Sequence, residues 1–137
     1  MKQNANAILI DVPAAPPTAN LIWRSAHGQT YLSQEAKTFI QLVALSVRGR
    51  KLPANWDAVK VEITVAPTRR SGDVDNRVKP VLDALTRCGF WRDDAIVARS
   101  EIEFAPPEKN GRTVIKVTKH AAGKFAAPFP EIQNSLF

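Results

Sequence analysis

Asp73 and Asp75 flank a single valine between a hydrophobic run and a helical pattern. In an extended or turn conformation, side chains two residues apart point the same way, so both carboxylates can face one cation. Aspartate is also a favoured residue of turns and helix N-caps, and the pair taken alone fits that capping role better than a binding site. Only further charged residues nearby would favour a site.

Such residues follow along the predicted helix. Asp75, Lys79 and Asp83 recur at i, i+4 and i+8, which places them along one flank of a helix beside its apolar stripe. A lysine therefore projects near the acidic pair. The alternative role for Lys79 is an ordinary surface ion pair with Asp83, which would contribute only about 0.3 kcal/mol.

A second acidic element, Asp93 and Asp94, occupies the turn after this helix. Chain geometry can bring that turn back to Asp73, and Asp73, Asp75 and Asp94 would then form a carboxylate cluster. Clustered carboxylates are unfavourable to hold ionised without a cation, and Mg²⁺ or Mn²⁺ prefers oxygen ligands. The alternative is a solvated turn, with or without an ion pair to Arg92 or Arg87.

A metal site beside basic residues suggests phosphodiester hydrolysis, because a divalent ion lowers the pKa of a water and neutralises charge on the phosphate. Lys79 could contact the phosphate or the leaving oxygen, and Arg69 and Arg70 could hold the flanking backbone. The alternative for both arginines is simple solvation in a loop.

Composition limits the class of protein. The chain has 137 residues, which suffices for one domain, and its 19 Lys and Arg against 13 Asp and Glu give a formal charge of +6. This excess favours an anionic partner. No apolar run approaches the roughly 20 residues of a bilayer span, and the first residues make a poor secretory signal, so we expect a cytoplasmic protein and no membrane contact. Cys88 is the sole cysteine, which rules out an internal disulfide.

Periodicity predicts an α+β fold. Residues 20–31, which include Arg24, are predicted to form a loop with a short extended piece, and Ser33 is predicted to cap the first helix. The sequence further predicts strands over 7–12, 59–65, 96–104 and 112–119, the last two joined by a turn, and helices over 34–47 and 76–87. Gly89 is placed to end the second helix. The expected architecture is a mixed or antiparallel sheet of about four strands packed with two main helices.

The run D-V-D-N-R-V-K-P-V-L-D-A-L, continued by G-F-W-R-D-D-A-I-V, resembles the RusA family of Holliday junction resolvases, small endonucleases common in prophages. Weaker similarity extends over roughly residues 7–119. We therefore expect an endonuclease domain over residues 1–119 and a flexible tail over residues 120–137. The basic segment before the motif, Arg69 to Gly72, departs from the family, where a longer basic run can occur.

The resemblance implies a homodimer that binds four-way DNA junctions by shape and nicks two strands symmetrically with Mg²⁺ or Mn²⁺. By motif position, it implies that Asp73, Asp75 and Asp94 are the essential metal-binding carboxylates and that Lys79 is the functional lysine. DNA contacts are expected from Arg69, Arg70, Lys79 and Arg24. Four aromatic residues are each expected in the core, at a dimer contact or against a DNA base: Trp23, Trp56, Phe90 and Trp91.

The C-terminal residues Gln133, Leu136 and Phe137 resemble the short peptides that dock bacterial DNA enzymes on the sliding clamp. Leu136 and Phe137 would anchor in a pocket while the Ala/Pro-rich stretch provides reach. Folding of the tail onto its own domain or onto a second subunit is the alternative.

Two other functions remain open from sequence. A branched-DNA-binding protein without catalysis would need only the basic surface. A small nucleotide phosphohydrolase would act on free nucleotides, but the chain offers no glycine-rich loop to hold their phosphates.

Overall fold

The structure is a computed structural model that describes residues 6–19, 22–69, 75–125 and 128–130. Within these ranges the chain forms six strands and two α-helices, in the order β1 (Ile8–Val12), β2 (Trp23–Ala26), β3 (Gln29–Leu32), α1 (Gln34–Val47), β4 (Val59–Ala66), α2 (Val78–Arg87), β5 (Val97–Phe104) and β6 (Arg112–Lys119). Short 3-10 turns precede α2 (Asp75–Arg77) and β5 (Asp94–Ile96). Among the described helices, none is long and apolar enough to span a bilayer.

Four strands form one mixed sheet in the order β1-β6-β4-β5. β6 is antiparallel to both β1 and β4, whereas β5 runs parallel to β4. This confirms the predicted α+β architecture. The two strands predicted to be joined by a turn, β5 and β6, are not neighbours, because β4 lies between them. Their connection crosses the end of β4, where the Ala105 N–H donates to the Val65 carbonyl at 2.8 Å.

The core lies on one face of this sheet, beneath both helices. The alternation predicted for β4 is confirmed, since Val59, Val61, Ile63 and Val65 are all at most 1% exposed. Buried residues of β1, β6, α1 and α2 complete the same cluster. Burial of this aliphatic surface, at about 25 cal/mol per Å², is the main stabilising contribution to the domain.

The first helix forms where the sequence predicts it. Ser33 is extended and its hydroxyl accepts a hydrogen bond from the Ala36 N–H at 3.1 Å, which satisfies one of the free donors at the helix start. The helix ends at Val47, and the C-cap residue Arg48 adopts a left-handed conformation. The Arg50 side chain then donates to the carbonyls of Val47 and Leu9, so it holds the end of α1 against β1.

The second helix starts two residues later than predicted. Residues 75–77 form a 3-10 turn, and the α-helix begins at Val78. Pro80 therefore occupies the third helical position, where its missing N–H costs no helical hydrogen bond. Val81 and Leu85 of the predicted apolar stripe are fully buried, and Gly89, at φ +82°, follows the helix end as predicted.

The prediction of a loop with a short extended piece over residues 20–31 is only partly right for its described part, because most of that part is extended. β2 and β3 form an antiparallel hairpin with Trp23 opposite Leu32. Its turn residues His27 and Gly28 both have positive φ, at 52° and 75°, as a two-residue hairpin turn requires. Nearly every residue of the hairpin is exposed, so its strands lack the alternation of apolar and polar residues that identifies a half-buried strand.

Candidate active site

The acidic turn is held in place by two buried aromatic residues. Phe90 and Trp91 are 1% and 4% exposed, and their rings pack against each other with centroids 5.7 Å apart. Gly89 permits the change of direction that turns both rings back into the core. Of the alternatives left open for these aromatic residues, the structure therefore assigns both to the core, and Trp56 likewise, at 8% exposed.

Hydrogen bonds tie the same turn to its surroundings. The Leu52 N–H donates to the Phe90 carbonyl at 2.9 Å, and the Trp91 indole Nε1 donates to the Thr86 hydroxyl at 2.7 Å. Thr86 lies in the last turn of α2. The residues that follow Trp91 therefore start from a rigid position at the end of that helix.

Asp93 and Asp94 have different environments. One Asp93 carboxylate oxygen accepts from the Ala95 N–H at 2.8 Å, so this residue caps the short 3-10 turn before β5. Asp94 is the first residue of that turn and is partly exposed, and among the described residues its carboxylate has no hydrogen-bond or ion-pair partner. Asp93 therefore has a capping role in this turn, and neither aspartate forms an ion pair with a described arginine.

The structure brings this turn next to the helix that carries the predicted lysine, because the 3-10 turn Asp94–Ile96 contacts α2. Lys79 lies near the start of α2 with its side chain 67% exposed, and its Nζ is 3.6 Å from a carboxylate oxygen of Asp83. The expected i,i+4 ion pair is thus present. An ion pair this exposed contributes little to stability, which leaves the ammonium able to exchange partners at small cost.

The remaining predicted metal ligands lie largely beyond what the structure describes. Asp73 is outside the described residues, and for Asp75 the description covers the backbone of the 3-10 turn only. In the described ranges no three Asp, Glu, His or Cys side chains come close enough to share a metal ion. The cluster of Asp73, Asp75 and Asp94 therefore stays a prediction.

Arg77 has a positioning role that sequence reasoning missed. Its Nη1 donates to the Pro16 carbonyl at 2.6 Å, which attaches the start of α2 to the loop after β1. Burial lowers the pKa of this arginine from its usual value. The signal available in the sequence was its place inside the acidic motif, one residue from Val78 and two from Asp75.

The predicted DNA-contacting arginines that the structure describes are exposed. Arg24 lies on β2, opposite Tyr31 of β3, and Arg69 lies shortly after the end of β4. Arg70 is outside the described residues. Trp23, unlike the other tryptophans, remains 47% exposed, and the Arg87 guanidinium lies 5.6 Å from the centre of its ring. Sequence periodicity gave no indication of this contact.

The three residues of the predicted clamp-binding peptide, Gln133, Leu136 and Phe137, are also outside the described residues. After β6, the His120 N–H donates to the Ala58 carbonyl at 2.8 Å. Beyond that contact, Phe125 and Phe129 are 88% and 99% exposed. The division of the chain at residue 119 and the function of the tail both stay predictions.

Comparison with known proteins gives a consistent result. The family model for the endodeoxyribonuclease RusA matches residues 13–118. A crossover junction endodeoxyribonuclease of Enterobacteria phage 82 is 36% identical over 107 residues, which make up 76% of this chain and 88% of that relative. The proteins of the same name from Escherichia coli K12 and Shigella sonnei are 35% and 34% identical over the same lengths and shares of each chain. The chain therefore belongs to the RusA family of endodeoxyribonucleases.

Proposed function

We propose that this protein resolves four-way DNA junctions by metal-dependent hydrolysis of two symmetric phosphodiester bonds. Membership of the RusA family and the names of its relatives support the reaction class. The observation that carries the proposal is the environment of Asp94. Its backbone is fixed by buried aromatic anchors, while its carboxylate has no partner among the described residues. A partly exposed carboxylate that no described residue engages is available to coordinate a cation.

The donor set suits a hard divalent cation. Asp94 offers carboxylate oxygens from a partly exposed position, and Asp73 and Asp75, which precede α2 in the chain, would supply more of the same type. We therefore propose that these three residues hold Mg²⁺ or Mn²⁺. When bound, such an ion lowers the pKa of a water molecule and neutralises negative charge on the phosphate.

The basic side chains of the protein would position the DNA. Lys79, exposed on the helix that contacts the Asp94 turn, would donate to a phosphate oxygen and so favour the additional charge of the transition state. Arg24, Arg69 and Arg70 would bind the flanking phosphates. These contacts neutralise phosphates and release their counterions, so the affinity for DNA is expected to fall steeply as the salt concentration increases.

A symmetric pair of cuts requires two sites, and a homodimer with a twofold axis would present one to each strand. We propose this assembly together with cytoplasmic action on DNA. Docking on the sliding clamp through Gln133, Leu136 and Phe137 would be a separate property of the tail. Deletion of the last five residues tests it, because clamp binding by the intact chain should disappear on deletion.

A junction-cleavage assay tests the main proposal. The wild-type protein should nick a synthetic four-way junction at paired symmetric positions when Mg²⁺ is present, and nicking should stop when the metal is chelated. Asp75→Asn and Asp94→Asn should bind the junction without nicking it. Asp57→Asn is the matched control, since Asp57 is an exposed aspartate in the loop before β4.

The same assay addresses the rival function, a branched-DNA-binding protein without catalysis. A wild-type protein that binds the junction with high affinity but does not nick it with Mg²⁺ or Mn²⁺ would support that rival. Equal nicking by wild type and Asp94→Asn would remove Asp94 from the proposed site while leaving the nuclease activity in place.

A further inference from the structure

The β2–β3 hairpin is exposed along almost its whole length. All four residues of β2 are exposed, as are the first three of β3, so the hairpin buries almost none of its side chains in the domain. It is anchored at its base, where Ile22 is 5% exposed and its carbonyl accepts from the Ser33 N–H at 2.8 Å. An exposed hairpin of this kind contributes little to the core, which points to a role in binding.

Two aromatic residues of the hairpin face solvent. Trp23 and Tyr31 are each 47% exposed, whereas Trp56 and Trp91 are buried. The Trp23 ring lies 5.6 Å from the Arg87 guanidinium, a cation–π contact that restrains the indole and joins the hairpin to α2. The same helix carries Lys79 and contacts the Asp94 turn. The hairpin and the candidate site are therefore attached to one helix.

The charge around Trp23 suits a polyanion. Residues 22–33 contain Arg24 and His27 but no aspartate or glutamate. Asp83 lines a small cleft with Ile22 and Arg87, but its carboxylate lies 3.6 Å from Lys79 and is thus partly neutralised. Flat aromatic surface beside arginine is the combination by which proteins stack on accessible bases while contacting phosphates.

Building on the proposed junction cleavage, we infer that Trp23 stacks on a base or base pair exposed at the crossover of the junction, with Arg24 on an adjacent phosphate. In continuous duplex DNA both faces of each interior base pair are covered by their neighbours. At a four-way crossover this stacking is interrupted, so a base face is available to an indole. Trp23 would thus distinguish a junction from linear duplex without reading sequence.

Binding measurements in EDTA, which separate recognition from cleavage, test this inference. Affinity is measured by fluorescence anisotropy for an immobile four-way junction and for a linear duplex with the sequence of two of its arms. Trp23→Ala should weaken junction binding by about tenfold, the usual effect of removing one base-stacking aromatic residue, and leave duplex binding nearly unchanged. Trp23→Phe should recover most of the loss. Leu45→Ala, which alters a side chain 72% exposed on α1, is the control.

Two results would overturn the inference: junction affinity that does not change in Trp23→Ala, or an equal loss of affinity for junction and duplex. A second measurement needs no variant. Binding of the wild-type protein should change the fluorescence of 2-aminopurine at the crossover but not at mid-arm, and equal responses would contradict stacking at the crossover. If wild type nicks junctions while Trp23→Ala binds them normally, only this inference fails. If wild type never nicks junctions, the proposed function fails, and the binding comparison alone decides the inference about Trp23.

Discussion

The Trp91 indole Nε1 donates a 2.7 Å hydrogen bond to the Thr86 hydroxyl, which in turn donates to the Leu82 carbonyl at 3.1 Å. This short chain of hydrogen bonds connects the interior of α2 to the aromatic anchor that precedes Asp94. We therefore expect the Thr86 hydroxyl to help position Asp94, the proposed metal-binding carboxylate, eight residues after it.

Thr86→Val should lower both stability and nicking. The change leaves the buried indole N–H of Trp91 without an acceptor, which costs about 1–3 kcal/mol of unfolding free energy. Urea denaturation gives that loss, and the nicking rate on a four-way junction gives the functional effect. Thr86→Ser keeps the hydroxyl and should retain most of both. If Thr86→Val nicks at the wild-type rate, Asp94 is positioned by other contacts.

Substitutions of the neighbouring residues Asp93 and Asp94 should have different effects, one on stability and the other on nicking activity. Asp93→Ala removes the cap on the 3-10 turn and should destabilise the protein by about 0.5–1 kcal/mol. Asp94→Ala removes a carboxylate with no partner among the described residues, so it should abolish nicking with little effect on stability. Thermal unfolding and nicking, measured on both variants, test the contrast. The reverse pattern would assign the functional role to Asp93.

The ion pair between Asp11 and Arg112 should stabilise the protein at neutral pH, and this contribution should be lost in acid. Two hydrogen bonds, of 2.9 and 2.7 Å, link Asp11 of β1 to Arg112 of β6. Hydrogen bonding to Arg112 lowers the pKa of Asp11 below its usual 3.8, so the stabilisation is complete above that value and is lost as pH falls through the lower folded-state pKa. Both side chains are largely exposed, which keeps the effect small.

The measurement compares unfolding free energies of wild type and Asp11→Asn across pH. The wild type should be slightly more stable at neutral pH, and the two should converge in acid. A difference that persists at the lowest pH would mean that the substitution perturbs β1 in some way other than through loss of the charge.

Gly111→Ala should be more damaging than Gly49→Ala. Both glycines have positive φ, +72° and +71°, so the backbone strain is matched. A Cβ at Gly111 would lie 2.6 Å from the Ala15 backbone nitrogen, whereas a Cβ at Gly49 meets nothing within 4 Å. Gly49→Ala should cost about 1 kcal/mol, and Gly111→Ala about 1–3 kcal/mol more. Chemical denaturation of both variants measures the difference in unfolding free energy. Equal losses would show that the loop containing Ala15 shifts at little cost to accommodate the added Cβ.

Local signals predicted the elements well. The Ser33 cap, the period of α1 and the alternation in β4 depend on neighbours in sequence, and the structure confirms all three. The order of strands depends on contacts between distant segments, so the place of β4 between β5 and β6 was not predicted. The hairpin was missed because its side chains do not divide into a buried and an exposed face.

The candidate site was predicted from residue types and from the resemblance. The structure adds how Asp94 is held and shows that Lys79 pairs with Asp83. It also reveals two contacts that no periodicity encodes, Arg77 with Pro16 and Arg87 with Trp23. Each involves a side chain reaching a segment far away in sequence.

The place of β6 at the centre of the sheet has a consequence for biosynthesis. β1 and β4 are made before β6, but within the sheet they are joined by β6, which spans Arg112–Lys119. A chain that does not yet include β6 cannot complete the sheet. The apolar faces of its other strands and helices therefore stay exposed to chaperones and proteases. Chains truncated before Arg112 should therefore be digested readily by a protease, whereas chains that extend through β6 should resist digestion.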